Sequence, residues 1–525
     1  MKLHVSIYGC LVLLCARLTC SSEMYTSSVL GLVKLLDIEN KFVLHMKEYA
    51  EAQEQKLETL KIYLKTLERV ALKSKKEQNE FVSNPLQVFS LIRRLREDWP
   101  KLQVLTKAEV GAEQLQAMTE LLDLAPTKED MDETLEGMDR IEVTYDFNPF
   151  DIAKGLLNGQ QFNHTLSIRD CLAMARHKYG NKNYGGAFVW YSIALKRERE
   201  PNSFTYDKVL GGALDGVREQ FARMRILKDM TENEPLLSEK QVRERVDKIL
   251  KSANSTALDY FVNELLEQDD SYLMAEGKLE KSKVTSHHVG CRDQFPKRTH
   301  LTCRYNSTTT PFLKLAPLKL EEINLDPYIV MYHNVISDSE IEEMKRQTVN
   351  MSNGLSAFAS WNQSQPARVV ARVKWLMNPT PFVERLNNRI TDMTGFQLQE
   401  FPSLLVANYG IGAFFQPHYD YVTTDRVRVE DNYGLGDRSA SVVFYASNLE
   451  GGSTVFTELQ LTVRPQKGNS LVWYNLFDDD TPDPRSRHSV CPTITGSRWI
   501  LIKWIHSLPQ TFAKPCQARP AQPTK

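Results

Sequence analysis

The chain has 525 residues, 42% of them hydrophobic and 25% charged, and its 65 Lys+Arg against 66 Asp+Glu leave a net charge of -1. This is the composition of a folded protein of several domains, which excludes wholesale disorder. The balanced charge leaves no electrostatic footprint for nucleic acid, and 24 glycines cannot supply every third position of a collagen helix.

At the N-terminus, Lys2 and His4 precede an apolar stretch, Val5–Leu18, and the small residues Cys20-Ser21-Ser22. Residues 1–22 therefore read as a cleaved secretory signal peptide. The competing reading is a membrane anchor, but the stretch is short and holds Gly9 and Arg17. No other segment approaches a membrane span. Cys10, Cys15 and Cys20 leave with the signal. Among the remaining cysteines the simplest pairing is short-range, Cys291 with Cys303 and Cys491 with Cys516, leaving Cys171 free. A zinc site competes, without a C-x-x-C pair to support it. Sequons at Asn163, Asn254, Asn306, Asn350 and Asn362 also favour passage through the endoplasmic reticulum. Gln522-Pro523-Thr524-Lys525 is no luminal retention signal, so the expectation is secretion or retention by a partner.

Residues 23–125 read as a helical domain. Met46, Ala50, Gln53, Leu57, Leu60, Leu64 and Leu67 follow a four-three spacing that puts them on one seam, either of a helical bundle or of a dimerising coiled coil. Asn84-Pro85 breaks the run, and a second amphipathic stretch ends near Trp99-Pro100. A polar linker is expected around residues 126–149. Residues 150–235 carry a helical hairpin over 166–195, with small residues between large aromatics in the manner of a tetratricopeptide repeat. A degenerate second repeat follows, with Gly211-Gly212 where a packed helix favours alanine. Tyr179, Tyr184 and Tyr191 are either a peptide-binding face or packing residues. Residues 236–325 read as helix, over 241–266, and then a cysteine-pinned loop region. From 326 to 525 the texture changes to short strands with Gly and Pro turns, interrupted by helices near 338–347 and 381–394, which suggests a jelly roll.

The chemistry concentrates in this last part. In Gln416-Pro417-His418-Tyr419-Asp420, the alternation of a strand puts His418 and Asp420 on one face. His488 can supply a third ligand from a neighbouring strand. Two imidazoles and a carboxylate form the facial triad that holds Fe(II) with open positions for an oxo-acid and O2; a buried, hydrogen-bonded histidine is the plain alternative. Arg498, Ile500, Ile502, Trp504 and His506 share one strand face. A guanidinium aimed into an apolar barrel needs an anion, either a dicarboxylate co-substrate or an internal Asp or Glu.

Asn408-Tyr409-Gly410, Pro417-His418-Tyr419-Asp420, Gly451-Gly452-Ser453-Thr454-Val455-Phe456, Lys467-Gly468, Trp473-Tyr474-Asn475, Arg487-His488-Ser489-Val490-Cys491-Pro492 and Trp504-Ile505-His506 resemble the catalytic domain of the collagen prolyl 4-hydroxylase α subunit. The resemblance extends less tightly over nearly the whole mature chain. It implies a double-stranded β-helix enzyme that hydroxylates proline in X-Pro-Gly sequences of collagen-like chains, consuming O2 and 2-oxoglutarate and releasing succinate and CO2. It further implies Fe(II) on His418, Asp420 and His488, with Tyr409 and Thr454 lining the 2-oxoglutarate pocket. His506 would assist co-substrate binding, Trp504 would sit near the pocket, and ascorbate would rescue oxidised iron. The implied setting is the endoplasmic reticulum lumen, in an α2β2 assembly with protein disulfide isomerase. The family usually has lysine where Arg498 stands. A lysyl hydroxylase of the same chemistry and a silent peptide-binding subunit are the alternatives.

Overall fold

The computed structural model describes residues 25–68, 74–199, 214, 216–234, 237–277, 284–348, 351–353, 369–398, 403–421 and 435–514. The segment 1–22, Gly211-Gly212, Asn350, Asn362 and Cys516 lie outside the described residues. The chain forms two compact units, one essentially residues 30–127 and the other residues 128 onward together with 26–29.

The first unit is helical: α1 (Val29–Glu68), α2 (Lys75–Ser83), α3 (Pro85–Arg93), α4 (Trp99–Lys107) and α5 (Ala112–Leu122). Asn84 ends α2 and caps α3, and Pro85 takes the first helical position, where its missing N–H costs nothing. Trp99-Pro100 does not end the second stretch. Arg94–Asp98 widens into a π-turn, and helical backbone continues into α4. The expected seam is split. Gln53 donates to the Val110 carbonyl and Leu60 and Leu67 are half-buried, whereas Met46, Leu57 and Leu64 are more than half exposed.

In the second unit the expected polar linker is instead an 18-residue helix, α6 (Lys128–Tyr145). Its acidic first turn suits the helix dipole, and Asp130, Gly137, Ile141 and Thr144 recur at helical spacing on a buried face, a pattern that polar composition conceals. Next comes the hairpin α7 (Ile168–Gly180) and α8 (Tyr184–Glu198), then α9 (Val217–Asn233), α10 (Glu239–Ser252), α11 (Ser255–Leu266) and α12 (Asp270–Gly277). Phe188 of α8 stacks on Phe221 of α9 at 4.7 Å. A Cβ at Gly185 would lie 2.1 Å from the Gly277 carbonyl oxygen, so glycine lets α12 approach α8.

Helix α6 touches both halves of this unit. Lys178 donates to Glu142 at 2.7 Å and also pairs with Asp139, and Trp190 Nε1 donates to Glu142 at 2.9 Å. On the other side, Arg140 Nε donates to the Gly412 carbonyl at 3.0 Å and Tyr145 Oη to the Pro492 carbonyl at 2.6 Å.

The region expected as a cysteine-pinned loop holds α12, a short helix α13 (Ser286–Cys291) and strand β1 (Cys303–Asn306). Beyond it, β2 (Leu318–Leu325), β3 (Tyr328–His333), β4 (Arg372–Leu376), β5 (Leu404–Tyr409), β6 (Phe415–His418), β7 (Arg438–Tyr445), β8 (Thr454–Phe456), β9 (Leu461–Val463), β10 (Ser470–Tyr474), β11 (His488–Val490) and β12 (Arg498–His506) build two sheets. The large sheet runs β1-β2-β3-β10-β7-β12-β5-β4, with Ser352–Asn353 at its edge; the small one runs β9-β8-β11-β6. Helices α14 (Asp338–Gln347) and α15 (Pro381–Thr394) cover one face of the large sheet, packing Met344, Phe382 and Ile390 with Val406, Val442 and Leu501. The other face meets the small sheet, where Tyr409, Trp473, Ile500 and Trp504 pack with Phe415, Phe456 and Val490. The alternation along β12 thus sends Arg498, Ile500, Ile502 and Trp504 between the sheets, and Trp499, Leu501 and Ile505 toward the helices.

The short-range cysteine pairing is not the one formed. Cys291 is bonded to Cys491, 200 residues away in sequence with Cα atoms 5.6 Å apart, and Cys303, exposed on β1, is bonded to no cysteine among the described residues. Closeness in sequence misleads because α13 folds onto β8: a Cβ at Gly290 would meet Val455 Cγ1 at 2.4 Å, which brings Cys291 to the end of β11. In the chain-entropy limit a cross-link over so long a loop is worth about 5 kcal/mol. The Cys491→Ser protein should therefore unfold at about 2–5 kcal/mol lower stability under non-reducing conditions. Denaturant titration checks this, and Cys303→Ser should leave the midpoint unchanged.

Candidate active site

The pairing of β6 with β11 sets His418 directly opposite His488. Asp420 completes the cluster, and the ligand atoms of the three side chains all lie within 4.8 Å of one another. His418 Nε2 is 3.7 Å from Asp420 Oδ1, and His488 Nε2 is 3.8 Å from Asp420 Oδ2. All three are buried. Each imidazole spends its Nδ1 on a carbonyl two residues back, His418 on Gln416 at 2.8 Å and His488 on Ser486 at 3.0 Å. That leaves the Nε2 lone pairs facing the centre. Phe415 stacks on His418 at 3.6 Å, and Trp473 stands edge-on to His488 at 4.9 Å.

Burial, helped by the neighbouring His488, pushes the His418 pKa down to about 3, so its ring is neutral and available as a donor at neutral pH. Burial alone would raise Asp420, but His488, His418 and the Ser441 hydroxyl outweigh it and hold the carboxyl below its usual range. Ser441 Oγ donates to Asp420 Oδ2 at 2.5 Å, and Asn475 Nδ2 donates to Ser441 Oγ at 2.9 Å. Two imidazoles that turn Nε2 inward and a carboxylate held below its usual range are the donor set of a non-haem Fe(II) centre.

Arg498 enters the same inter-sheet space from β12 and is 1% exposed. Its Nη2 donates to Thr454 Oγ1 at 3.4 Å, and its guanidinium carbon lies 5.0 Å from the Tyr409 ring centre and 5.7 Å from that of Tyr445. Nε and Nη1 have no partner among the described residues, and no carboxylate there pairs with the guanidinium. The internal salt bridge that the sequence left open is thus absent from the described residues. Tyr445 Oη lies 3.1 Å from Thr454 Oγ1, and the buried Thr493 Oγ1 is also without a partner. Glycine is required at 452 (φ +60°), where a Cβ would stand 3.2 Å from Arg498 Cδ and 2.6 Å from Leu449 Cδ1. Burial raises the Tyr409 hydroxyl to about 12, so it stays protonated and able to donate. An orphaned buried cation ringed by hydroxyls suits a carboxylate.

Trp504 faces the same interior, with the Arg438 guanidinium 3.9 Å above its ring and Trp375 at 5.9 Å. His506 is not brought among the three converging side chains. It sits at the end of β12 with Nδ1 against the Gly436 carbonyl at 3.0 Å, in a small cleft shared with Lys503 and Gln510, and burial pushes its pKa down to about 4. Of the three tyrosines in the helical layer, Tyr184 and Tyr191 are buried packing residues and Tyr179 is half-buried, its ring 6.0 Å from that of Tyr184. Tyr184 nevertheless reaches a groove of about 390 Å³ with Leu227, Leu237 and Arg243. Asn163 and Asn254 are exposed, the latter capping α11. Asn306 is corrected as a glycosylation site: it is 3% exposed, donates to Tyr332 Oη and accepts from Thr308 and Thr309, so its amide is committed inside the fold.

Sequence reasoning gave no role to Ser441, Tyr445, Trp473, Asn475 or Thr493. Trp473 and Asn475 lie within a motif already singled out, which was the one signal on offer.

A family model described as "Prolyl 4-Hydroxylase alpha-subunit, N-terminal region" matches residues 28–159, and one described as "2OG-Fe(II) oxygenase superfamily" matches residues 404–506. Prolyl 4-hydroxylase subunit alpha-1 of Rattus norvegicus is 30% identical over 543 residues, covering 97% of this chain and 99% of that one. Prolyl 4-hydroxylase subunit alpha-2 of Caenorhabditis elegans is 30% identical over 94% of this chain and 93% of that one. Among solved structures, a viral collagen prolyl hydroxylase from Paramecium Bursaria Chlorella virus-1 aligns at 18% identity over 34% of this chain and 94% of that one, with a TM-score of 0.28. With a relative matching end to end and an oxygenase domain placed over the His418–Asp420–His488 cluster, the chain belongs to the prolyl 4-hydroxylase α-subunit family, an Fe(II)- and 2-oxoglutarate-dependent dioxygenase family.

Proposed function

We propose that this chain is the catalytic subunit of a procollagen-proline 4-dioxygenase, which uses O2 to hydroxylate proline in X-Pro-Gly segments while converting 2-oxoglutarate to succinate and CO2. The observation that carries the reading is the buried Arg498 guanidinium, met by no carboxylate among the described residues and lying in the same buried space as the histidine–carboxylate cluster. Strand β8 relates the two: Phe456 pairs opposite His488, while Thr454, two residues earlier, contacts Arg498. Residues two apart on a strand are about 7 Å apart on one face, a separation suited to a diacid with one end at each subsite.

His418, Asp420 and His488 would hold Fe(II), and Arg498, Tyr409 and Thr454 would hold the distal carboxylate of 2-oxoglutarate. Bound there, the metal would let O2 act as the oxidant while the oxo-acid gives up two electrons and CO2, with ascorbate as the reductant that restores ferrous iron. The chain's own contribution is placement. The Nδ1 bonds fix both imidazoles, Ser441 fixes the carboxylate, and Phe415, Phe456 and Trp473 exclude water around them. The guanidinium and hydroxyls set one orientation of the co-substrate.

The remaining features suit the same reading. The small sheet on the large one supports a jelly roll, and the α7–α8 hairpin backed by α9 supports a tetratricopeptide-like layer for a proline-rich chain. Exposed apolar positions on α1, such as Val43, Met46, Leu57 and Leu64, support association with a second copy in an α2β2 assembly with protein disulfide isomerase in the endoplasmic reticulum lumen. Among the described residues no helix is long and apolar enough to cross a membrane.

The test is turnover of the full chain, co-expressed with a disulfide isomerase, on (Pro-Pro-Gly)n with Fe(II), ascorbate and 2-oxoglutarate. Equal amounts of 4-hydroxyproline and succinate are expected. Product from lysyl peptides alone, or no turnover by the folded assembly, overturns the assignment.

A further inference from the structure

We infer that Asn475 and Ser441 form a positioning relay that fixes the carboxylate of Asp420 for metal binding, with Asn475 also joining this ligand's support to that of His488. The inference rests on the metal site proposed above.

An ionised carboxylate only accepts, so the Ser441 hydroxyl must donate to Asp420 Oδ2 at 2.5 Å. With its proton spent there, Ser441 has only lone pairs left for Asn475, which fixes the amide with Nδ2 as donor at 2.9 Å. Ser441 and Asn475 are 0% exposed, so no solvent competes for either bond. One carboxylate oxygen is thereby committed to the protein, and Oδ1 is left turned toward His418 Nε2. The backbone of Asn475 extends the support. Its N–H donates to the Ser439 carbonyl at 2.8 Å, and its carbonyl accepts from the Asp483 N–H at 2.9 Å. Asp483 in turn accepts from the N–H and Oγ of Ser486, the residue whose carbonyl holds His488 Nδ1. One residue therefore supports two of the three ligands, Asp420 through its side chain and His488 through its main chain. Outer partners of this kind typically set metal affinity by 10–100-fold.

The side-chain arm is tested by titrating the metal-free full chain with Co(II) by calorimetry, alongside its d–d absorption spectrum and the melting temperature without metal. Ser441→Ala is expected to bind Co(II) about 10–100-fold more weakly with an altered spectrum. Asn475→Ala should lose less, because Ser441 can still donate. The double variant should be no weaker than Ser441→Ala alone, since the Asn475 side chain acts only through the hydroxyl and its main-chain bonds are unchanged, and Ser441→Thr should bind as wild type does. Co(II) affinity within twofold of wild type in Ser441→Ala, or losses that multiply in the double variant, overturns the relay. A lowered melting temperature at unchanged affinity would mark the pair as structural only and also overturns it. Failure of the site itself reads differently: wild type would not bind Co(II), or Asp420→Ala would bind as wild type does.

Discussion

The His488→Ala protein is expected to form no measurable 4-hydroxyproline and to bind Fe(II) or Co(II) at least ~100-fold more weakly than wild type, since losing a ligand costs more than losing its outer support. The geometry leaves no substitute. His418 and Asp420 remain, but His488 is the one donor that β11 contributes to the cluster, and among the described residues no further histidine or carboxylate joins these three. The fold should survive. The ring packs edge-on against Trp473 and within 5.7 Å of Phe456, so truncation leaves a small void in a strand held by β8 and β6 and by the Cys291–Cys491 bond. A cost of about 1–3 kcal/mol to the metal-free protein is ordinary for such a void. Calorimetric metal titration separates the two effects. If His488→Ala oxidised peptide at a rate near that of wild type, the histidine–carboxylate cluster would not be the reactive centre.

The second large effect is a pair of opposite signs. Arg498→Met should raise the KM for 2-oxoglutarate by roughly 100-fold or more, the few kcal/mol lost when one partner of a buried, charge-assisted contact is removed. The same change should stabilise the protein without co-substrate by about 1–4 kcal/mol, because a desolvated cation with no counter-ion among the described residues is replaced by an apolar chain of similar length. Thermal melts with and without 2-oxoglutarate and metal give both numbers. Wild type should gain melting temperature on addition, whereas Arg498→Met should start higher and gain little. A variant that melts lower in the absence of ligand would mean that Arg498 is already paired in the protein, and the anion subsite would be lost with it.

The fold was legible where local chemistry dictates it. Asp338–Gln347 and Pro381–Thr394 carry their own caps, in Ser337 with Glu340 and in Thr380 with Pro381, and short, mostly apolar runs mark Leu404–Tyr409 and Arg498–His506 as strands buried on both faces. It was illegible where position depends on a distant partner. α6 hides its buried stripe among acidic residues, and β11 is only three residues long, too short for any period. At the site, His418, Asp420, His488 and Arg498 were readable because their residue types are costly to bury without a purpose. Ser441 and Asn475 are ordinary residue types whose role appears only when β7 and β10 pair. The cysteine pairing failed for the same reason, since spacing along the chain says nothing about a helix folding back onto β8. The location of His506 likewise depends on the loop at Gly436, which strand parity does not describe.

Helix α6 has a practical consequence for dissecting the molecule. An excised oxygenase fragment beginning at residue 326, where the sequence changes texture, would lose the Arg140 and Tyr145 side chains that donate to the Gly412 and Pro492 carbonyls and would sever the bond from Cys291 to Cys491. Those carbonyls flank the loop before β6 and the turn after β11, the two strands that bring the histidines together. A fragment that keeps all three contacts begins at or before Lys128 and carries the helical layer with it.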